Sequence, residues 1–325
     1  MTDFLISPTP NVANQTLGVL DKSLSPRQMA FKRFLNHKGA VVSAVVLAII
    51  VMFVILSPIT TRYGINEAIF KSEAGKFNSD LAPRKAAWFG TDSNGRDLYS
   101  RLIYGARVSL LIGLFSGIFS VLIGTVIGAM AGLYGGILDD LLMRVTDLFL
   151  ALPLLVILVI VRGALGNISW VTSIIGDIKS IRFIVFLFSF VGWMGVARLI
   201  RGQVKQLKER EFIEASKALG ASTPRIVIRH LLPNAIGQLM VALTFSVVGA
   251  ISAEATLSFF GFGPDAGSGM TSLGLMIKDS KAAVPGGRWW MVIYPCGLFI
   301  IISLCINFIG DGLRDAVDPK LQVSE

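Results

Sequence analysis

The sequence is nearly empty of the residues that build metal and redox sites. Only two histidines, His37 and His230, and two cysteines occur among 325 residues, with no HExxH motif and no Cys/His cluster, so no metal site is expected. Cys296 and Cys305 lie nine positions apart in one predicted helix, which separates them by about 13.5 Å, beyond the reach of a disulfide. A metalloenzyme and a disulfide scaffold are therefore excluded as first interpretations.

Motifs for nucleotide binding and for hydrolysis are also missing. No GxxxxGK[ST] occurs, the nearest feature being Gly75 followed by Lys76, so the chain is not expected to hold ATP phosphates itself. No Ser/His/Asp, Cys/His or paired-carboxylate arrangement is convincing, because the polar candidates are scattered along the chain. We expect neither a catalytic residue nor a cofactor bound by this chain.

Charged residues are scarce as well, at 16%, against 53% hydrophobic residues and a mean hydropathy of +0.69. Too few polar groups remain to cover the surface of a soluble protein. A helix needs roughly 20 apolar residues to cross the hydrocarbon core of a bilayer, and six runs qualify: 40–56, 108–133, 141–161, 183–200, 236–262 and 291–309. The sequence predicts an all-α polytopic membrane protein with six transmembrane helices and both termini on one side.

The net charge of +9 is compatible with nucleic-acid binding or with membrane topology, and the hydrophobicity favours topology. With both termini in the cytoplasm, sixteen Lys and Arg fall inside and fourteen outside, eight of the latter in the loop before the second span. When that long loop is discounted, the positive-inside rule supports cytoplasmic termini. We expect a lipid bilayer and no nucleic acid among the partners.

The same pattern divides the chain into segments. The first span follows a polar stretch and begins too late for a cleavable signal peptide. The predicted segments are a cytoplasmic N-terminal tail with an interfacial helix at 1–39, the first transmembrane helix at 40–60, an external segment at 61–107, a five-helix core at 108–312 with a cytoplasmic loop at 201–234, and a cytoplasmic C-terminal tail at 313–325.

Glycines in the second span form a packing seam. They are separated by four, seven, four and four residues and fall on one face over about 28 Å of helix. Small residues in such a row let a neighbouring helix approach closely. The seam comprises Gly113, Gly117, Gly124, Gly128 and Gly132. In the third span, Pro153 predicts a bend, because proline removes a backbone hydrogen bond.

Glu254 is an isolated carboxylate in the fifth predicted span. A carboxylate at membrane depth needs a water-filled cavity, a partner or a proton, because burying its charge is unfavourable. Two interpretations stay open at this stage. The residue either lines a transport pathway or is a hydrogen-bonded structural carboxylate near the interface.

The loop between spans four and five has a helical pattern that a bilayer would not accept. Phe212, Ala215 and Leu219 form a narrow apolar stripe, and Gly220 is typical of a helix end in the left-handed conformation. Charged side chains lie beside the stripe, at Glu211, Glu214 and Lys217. We interpret the stripe as a surface that docks into a groove of a soluble partner; the alternative is a solvated linker with helical propensity.

A second short helix is predicted after the break. Thr223 before Pro224 is typical of an N-cap followed by proline at the first helical position. The helix should run to about residue 231, and Pro233 should turn the chain back into span five.

Several motifs together resemble one family. Glu214, Ala215, Ser216 and Gly220, followed by Ile228, Leu232 and Pro233, resemble the EAA loop of bacterial ABC importer permeases, with Ser216 in place of the second alanine. Four longer stretches resemble the C-type permease of dipeptide and oligopeptide importers: FGTDSNGRDLYSRLIYGARVSL, DDLLMRVTDLFLALP, EATLSFFGFG and NFIGDGLRDAVDP. The resemblance covers residues 26–319 and departs from the family at PDAGSGMTSLG, residues 264–274.

The resemblance implies a type I ABC importer permease fold in the bacterial cytoplasmic membrane, with both termini in the cytosol. It implies a second homologous permease, two cytosolic ATPases that bind ATP and magnesium, an external substrate-binding protein and a peptide substrate. It also places Glu214, Ala215 and Gly220 in a coupling helix that sits on an ATPase. We extend that expected ATPase-coupling site to Glu211, Phe212, Ser216 and Leu219.

Other functions remain to be separated from this one. A related ABC importer could carry nickel or another small solute. An ion-coupled secondary carrier would use Glu254 as its protonation site. An intramembrane enzyme is the least favoured, because it needs a nucleophile and a base in one membrane layer.

Overall fold

The computed structural model describes residues 26–69, 80–264 and 269–317, and every regular element among them is a helix. The N-terminal half contains α1 Pro26–Asn36, α2 Lys38–Ile55, α3 Ser57–Thr60, α4 Leu98–Tyr134, α5 Gly136–Leu150, α6 Leu154–Gly166 and α7 Ser169–Ile175. The C-terminal half contains α8 Ile181–Lys208, α9 Glu211–Ala218, α10 Thr223–Ile226, α11 Leu232–Asn234, α12 Ile236–Phe259, α13 Leu273–Ser280 and α14 Trp290–Val317. Residues 1–25 of the predicted N-terminal tail, residues 318–325 of the predicted C-terminal tail and the Gly75–Lys76 pair lie outside the described residues.

Five of these helices, α2, α4, α8, α12 and α14, are long and apolar enough to cross a membrane. A sixth crossing results if α5 and α6, which meet at an angle of 103°, are counted as one broken span. The all-α polytopic architecture predicted from the sequence is therefore confirmed within the described ranges.

The third predicted span, 141–161, is not one continuous helix. α5 ends at Leu150 and α6 begins at Leu154, with Pro153 in the N-cap position of α6. Proline lacks the N–H that would continue the α5 ladder, and it fits the start of a helix. The expected bend is thus a complete break with a near right-angle turn.

α4 is the central helix and begins ten residues before the predicted start of the second span. Asp97 caps it, because its Oδ2 accepts hydrogen bonds from the backbone N–H and the hydroxyl of Ser100, at 2.8 and 2.7 Å. With 37 residues, α4 is about 55 Å long and extends beyond the hydrocarbon core. Residues 98–107, predicted as part of an external segment, are mostly buried in the bundle.

The glycine row of α4 divides between two neighbouring helices. A Cβ on Gly113 would collide with the Ile251 side chain of α12. A Cβ on Gly117 would lie only 2.6 Å from Val247 Cγ2 of the same helix. A Cβ on Gly124, Gly128 or Gly132 would collide with α8 instead. Contacts with α8 run in the same chain direction, from Gly124 near Trp193 to Gly132 near Val204, so α4 and α8 are parallel. The row lets two helices approach the α4 backbone closely.

The first and last membrane helices pack together at one edge of the bundle. α1 and α2 both contact α14. At this contact Gly312 lies against Phe34 and Ala40, and a Cβ on Gly312 would overlap the Ala40 side chain. The predicted interfacial helix is therefore packed against α14 near its C-terminal end.

Candidate functional site

The segment between α8 and α12, residues 209–235, which we call the α9 loop, is anchored by its apolar residues. Ile213, Ile226 and Leu231 are almost fully buried. They pack in one cluster with α8 and α12 residues that include Ile200, Val204 and Ala242. The loop is thus a folded extension of the bundle, because one of its faces belongs to the core.

The opposite face of α9 is open. Phe212 is 42% exposed and Leu219 is 89% exposed, and the short side chain between them, Ala215, is exposed as well. Glu211 and Glu214 are also exposed, and the half-buried Ser216 donates a hydrogen bond to the Phe212 carbonyl at 2.8 Å. The predicted apolar stripe therefore faces away from the protein.

Gly220 ends α9 with the backbone geometry that its position requires. Its φ is 79°, and the N–H of Ala221 donates to the carbonyl of Ser216 at 3.0 Å. A residue in the left-handed region followed by this six-residue hydrogen bond is a Schellman termination. Any residue with a Cβ is strained at such a φ.

The second helix of the α9 loop differs from the prediction. Thr223 is the first residue of α10, and the Ser222 carbonyl accepts the first helical hydrogen bond from Ile226 at 3.0 Å, so Ser222 rather than Thr223 occupies the N-cap position. After Ile226 the chain forms a π-helical turn, Val227–Leu231. The turn admits one extra residue, which brings Leu231 into the core.

A charged clamp holds α8 where it leads into the α9 loop. Asp139, which is buried at the start of α5, pairs with Arg201 and Lys205 of α8. The Asp139 Oδ2 accepts from Arg201 Nη2 at 2.7 Å and from Lys205 Nζ at 2.6 Å. Lys208 Nζ donates to the Leu133 carbonyl of α4 at 2.8 Å. The end of α8 is therefore tied to both α4 and α5.

A second charged cluster lies at the opposite end of α4. Arg101 is almost fully buried and contacts Asp92 and Asp279, with 3.2 Å between Arg101 Nη2 and Asp279 Oδ2. Asp92 also accepts from the backbone N–H groups of Asn94 and Arg96, at 2.8 and 2.9 Å. This cluster fixes the turn before α4 and joins it to α13.

Glu254 is buried among three serine hydroxyls from three elements. Only 1% of its surface is exposed. Its carboxylate accepts from Ser109 of α4 at 3.0 Å and from Ser258 and Ser272, each at 2.6 Å. Ser272 caps α13, so the carboxylate joins α4, α12 and α13. These contacts are those of a buried structural carboxylate.

Sequence reasoning did not identify Asp139 or Arg101 as important residues. Both lie in stretches dominated by the apolar pattern. The partners of Asp139 are 62 and 66 positions away, and Arg101 contacts Asp279 178 positions away as well as the nearby Asp92. One local feature of the sequence pointed to the Asp139 site. Its two cationic partners, Arg201 and Lys205, are four residues apart and share a helix face. Among the described residues, no group of three His, Cys, Asp or Glu side chains is placed to hold a metal ion.

Comparison with known proteins relates the whole chain to transport permeases. The family described as "N-terminal TM domain of oligopeptide transport permease C" matches residues 25–83. The chain is 35% identical to the oligopeptide transport system permease protein OppC of Bacillus subtilis, over 98% of this chain and 97% of that relative. It is 34% identical to the dipeptide transport system permease protein DppC of the same organism, over 92% of this chain and 88% of that relative.

Among solved structures, the MetNI methionine ABC transporter is similar in fold. It matches with a TM-score of 0.53 and 23% sequence identity, over 67% of this chain and 96% of that chain. At this identity the likeness concerns the fold alone, which is that of a type I ABC importer permease. The family described as "Binding-protein-dependent transport system inner membrane component" matches residues 124–323, which include the α9 loop. The chain belongs to this family of multi-pass inner-membrane permease subunits.

Proposed function

We propose that this chain is the permease subunit of an ATP-driven importer that carries dipeptides or oligopeptides across the bacterial cytoplasmic membrane. The substrate class rests on relatives named as oligopeptide and dipeptide permeases. The observation that carries the mechanism is the two-sided α9 loop, whose inner face is buried in the bundle while Phe212 and Leu219 are exposed.

The importer requires partners in addition to this chain. We propose a second homologous permease beside it, two cytosolic ATPases that bind ATP and magnesium, and an external binding protein that delivers the peptide. Both termini and the α9 loop lie in the cytosol in this arrangement. In this proposal the ATPases supply the hydrolysis, and we assign neither a catalytic residue nor a bound cofactor to this chain.

The exposed stripe of α9 docks into a groove on an ATPase. A narrow row of apolar side chains on a short helix is a recurring recognition mode for such grooves. Glu211 and Glu214 flank the row and complement cations of the partner. When the ATPases close, α9 moves with them, and the Asp139 clamp and the Lys208 contact pass the movement to α5 and α4 as a rigid-body shift.

The loop geometry does not distinguish peptide from nickel or another small solute, so the substrate class depends on the relatives. An ion-coupled carrier is disfavoured, because it needs a carboxylate that exchanges a proton with water. Glu254 is almost completely buried, with three serine hydroxyls bound to it.

Two α9-loop variants test the coupling role. Gly220→Pro cannot adopt the positive φ that ends α9, and Glu214→Arg reverses a charge on the docking face. In proteoliposomes that contain the complete importer, we expect both variants to insert normally and to lower ATP-dependent peptide uptake at least tenfold. Asp311→Arg is the matched control, since it reverses an exposed charge of α14 outside the α9 loop. Full uptake by both loop variants would refute the coupling role.

A further inference from the structure

A cavity of about 190 Å³ lies at the end of α12 that is opposite the α9 loop. Its wall contains three cationic residues from three separate elements: Arg162 of α6, Lys179 from the turn before α8, and Lys278 of α13. Ser258 and Gly263 also line it. We call this space the Arg162 cavity. Cations from three elements that face one space favour an anion.

Arg162 is the distinctive residue of this cavity. It is only 9% exposed, and its Nη1 atom is buried without a hydrogen-bond partner among the described residues. A buried donor without an acceptor is unfavourable, and a guanidinium stays charged at any physiological pH. Arg162 therefore lines the cavity with a guanidinium that has one donor without an acceptor among the described residues.

Among the residues that the structure describes, two carboxylates near the Arg162 cavity, those of Asp177 and Glu254, have other partners. Asp177 is close enough for its charge to act on Arg162, but it is exposed, and its Oδ1 accepts from the backbone N–H of Lys179 at 2.8 Å. Glu254 lies behind Ser258, which donates its hydroxyl to that carboxylate at 2.6 Å. Neither carboxylate supplies the missing acceptor for the Arg162 Nη1 atom.

Two glycines, Gly261 and Gly263, shape the wall of the cavity. A Cβ on Gly263 would overlap the Ser258 hydroxyl, so only glycine lets the chain pack this closely against Ser258. Gly261 has a φ of 90°, and a Cβ there would be 3.8 Å from Lys278 Nζ. The Lys278 ammonium therefore lies over the same glycine turn that borders the cavity.

We propose that the Arg162 cavity binds the C-terminal carboxylate of the transported peptide. A guanidinium and a carboxylate match in planar, charge-assisted geometry. The volume of the cavity also limits what it can hold. Pockets that enclose a drug-sized ligand measure roughly 300–1,000 Å³. The Arg162 cavity, at about 190 Å³, can therefore hold the terminal group of a peptide and not a whole oligopeptide. The inference rests on the proposed peptide-import function, and it assigns to the permease a contact with a group that every unmodified peptide carries.

The test compares a peptide with its C-terminal amide. The complete importer is reconstituted in proteoliposomes with binding protein in excess and fully loaded with either peptide, so that turnover reports the membrane complex. We expect wild type to transport the free acid faster than the amide. Arg162→Met should lower turnover of the free acid about tenfold, which corresponds to one lost charge-assisted hydrogen bond. Arg162→Met should leave turnover of the amide unchanged. Arg162→Lys should restore part of the difference in turnover between the free acid and the amide.

Companion variants separate this proposal from a structural role of Arg162. Lys278→Met should act in the same direction with a smaller effect. Lys281→Met, which removes an exposed cation near the Phe259 ring, should change nothing. An equal loss for both peptides in Arg162→Met, reproduced by Asp177→Asn, would overturn the proposal in favour of an ion pair within the chain. An effect of Arg162→Met that appears only with phosphatidylglycerol in the vesicles would overturn it in favour of a lipid headgroup.

The outcomes also distinguish this inference from the proposed function. If wild type transports neither peptide, the peptide-import function fails. If wild type transports both peptides equally and Arg162→Met has no effect, import stands and only the carboxylate site fails.

Discussion

Three serine hydroxyls surround the Glu254 carboxylate at hydrogen-bond distance, and this one residue holds together helices that are far apart in sequence. Each hydroxyl replaces part of the water that the carboxylate loses on burial. Gly274 completes the site, since a Cβ there would be 3.0 Å from the Glu254 Oε1 atom. The close approach of α13 thus depends on a glycine as well as on the carboxylate.

Replacing Glu254 should therefore act on stability. We predict that Glu254→Ala lowers the free energy of unfolding by about 3 kcal/mol, because it leaves three buried hydroxyls without an acceptor and opens a cavity. Glu254→Gln keeps the volume and one acceptor and should cost about 1 kcal/mol. Thermal unfolding of the purified protein in detergent measures both. Equal melting temperatures for Glu254→Ala and wild type would show that the carboxylate is not structural.

The α4 glycines make a second residue-scale prediction. A Cβ on Gly128 would overlap the carbonyl oxygen of Ala197, so Gly128→Ala should push α8 away and cost about 1–3 kcal/mol. Gly202 of α8 has nothing within 4 Å of its Cβ position. Gly202→Ala should therefore be neutral, or stabilise the helix by about 0.5–1 kcal/mol. The comparison uses the same chemical change, so loss of stability in both variants would contradict the packing account.

Residues of one helix were easier to anticipate than contacts between helices. The spacing of the α4 glycines alone placed them on one face, because helix geometry converts spacing into angle. The division of that face between α12 and α8 is a tertiary fact that the spacing does not contain. The Glu254 partners were equally hidden, since Ser109 is 145 positions away. The sequence left both the pathway and the structural interpretation open and favoured the structural one only slightly, because Glu254 lies late in its span.

At the scale of elements, helix ends were misjudged where the apolar pattern faded. α4 begins at Leu98, not near residue 108, because buried polar residues such as Arg101 interrupt the hydrophobic run without interrupting the helix. The local signal was the Asp97 cap three residues before Ser100. In contrast, the end of α9 followed from Gly220 alone, since a glycine termination is encoded locally.

The Asp139 clamp offers an element-scale prediction. Removing the carboxylate leaves Arg201 and Lys205 without the acceptor that fixes α5 to α8. We expect Asp139→Ala to insert and to keep ATP hydrolysis by the complete importer, while peptide uptake falls about fivefold because movement of α8 no longer reaches α5. Asp140→Ala removes the adjacent exposed carboxylate and should preserve uptake. Unchanged uptake in Asp139→Ala would exclude the clamp from the coupling route.

At the scale of the whole molecule, composition alone predicted a membrane protein, and the apolar runs predicted most of its membrane-spanning helices. A chain with few charges and long apolar runs forms a bundle of membrane-spanning helices, because backbone polar groups in lipid must form their hydrogen bonds within a helix. The near right-angle break between α5 and α6 exceeded the predicted bend, since one proline shows where a helix stops but not where the next one points. Contacts with partner subunits are not contained in this chain alone.

In the proposed importer, the exposed face of α9 lies in the cytosol against an ATPase. Cross-linking from a single cysteine tests this placement, with Cys296 and Cys305 replaced by alanine and Leu219→Cys introduced in the complete importer. Ile174→Cys, on exposed α7 at the opposite end of the bundle, is the control. We expect Leu219→Cys to cross-link to an ATPase subunit and to resist an impermeant thiol reagent added outside. We expect Ile174→Cys to react with that reagent and to give no cross-link to an ATPase. Labelling of Leu219→Cys from outside, without any cross-link to an ATPase, would contradict it.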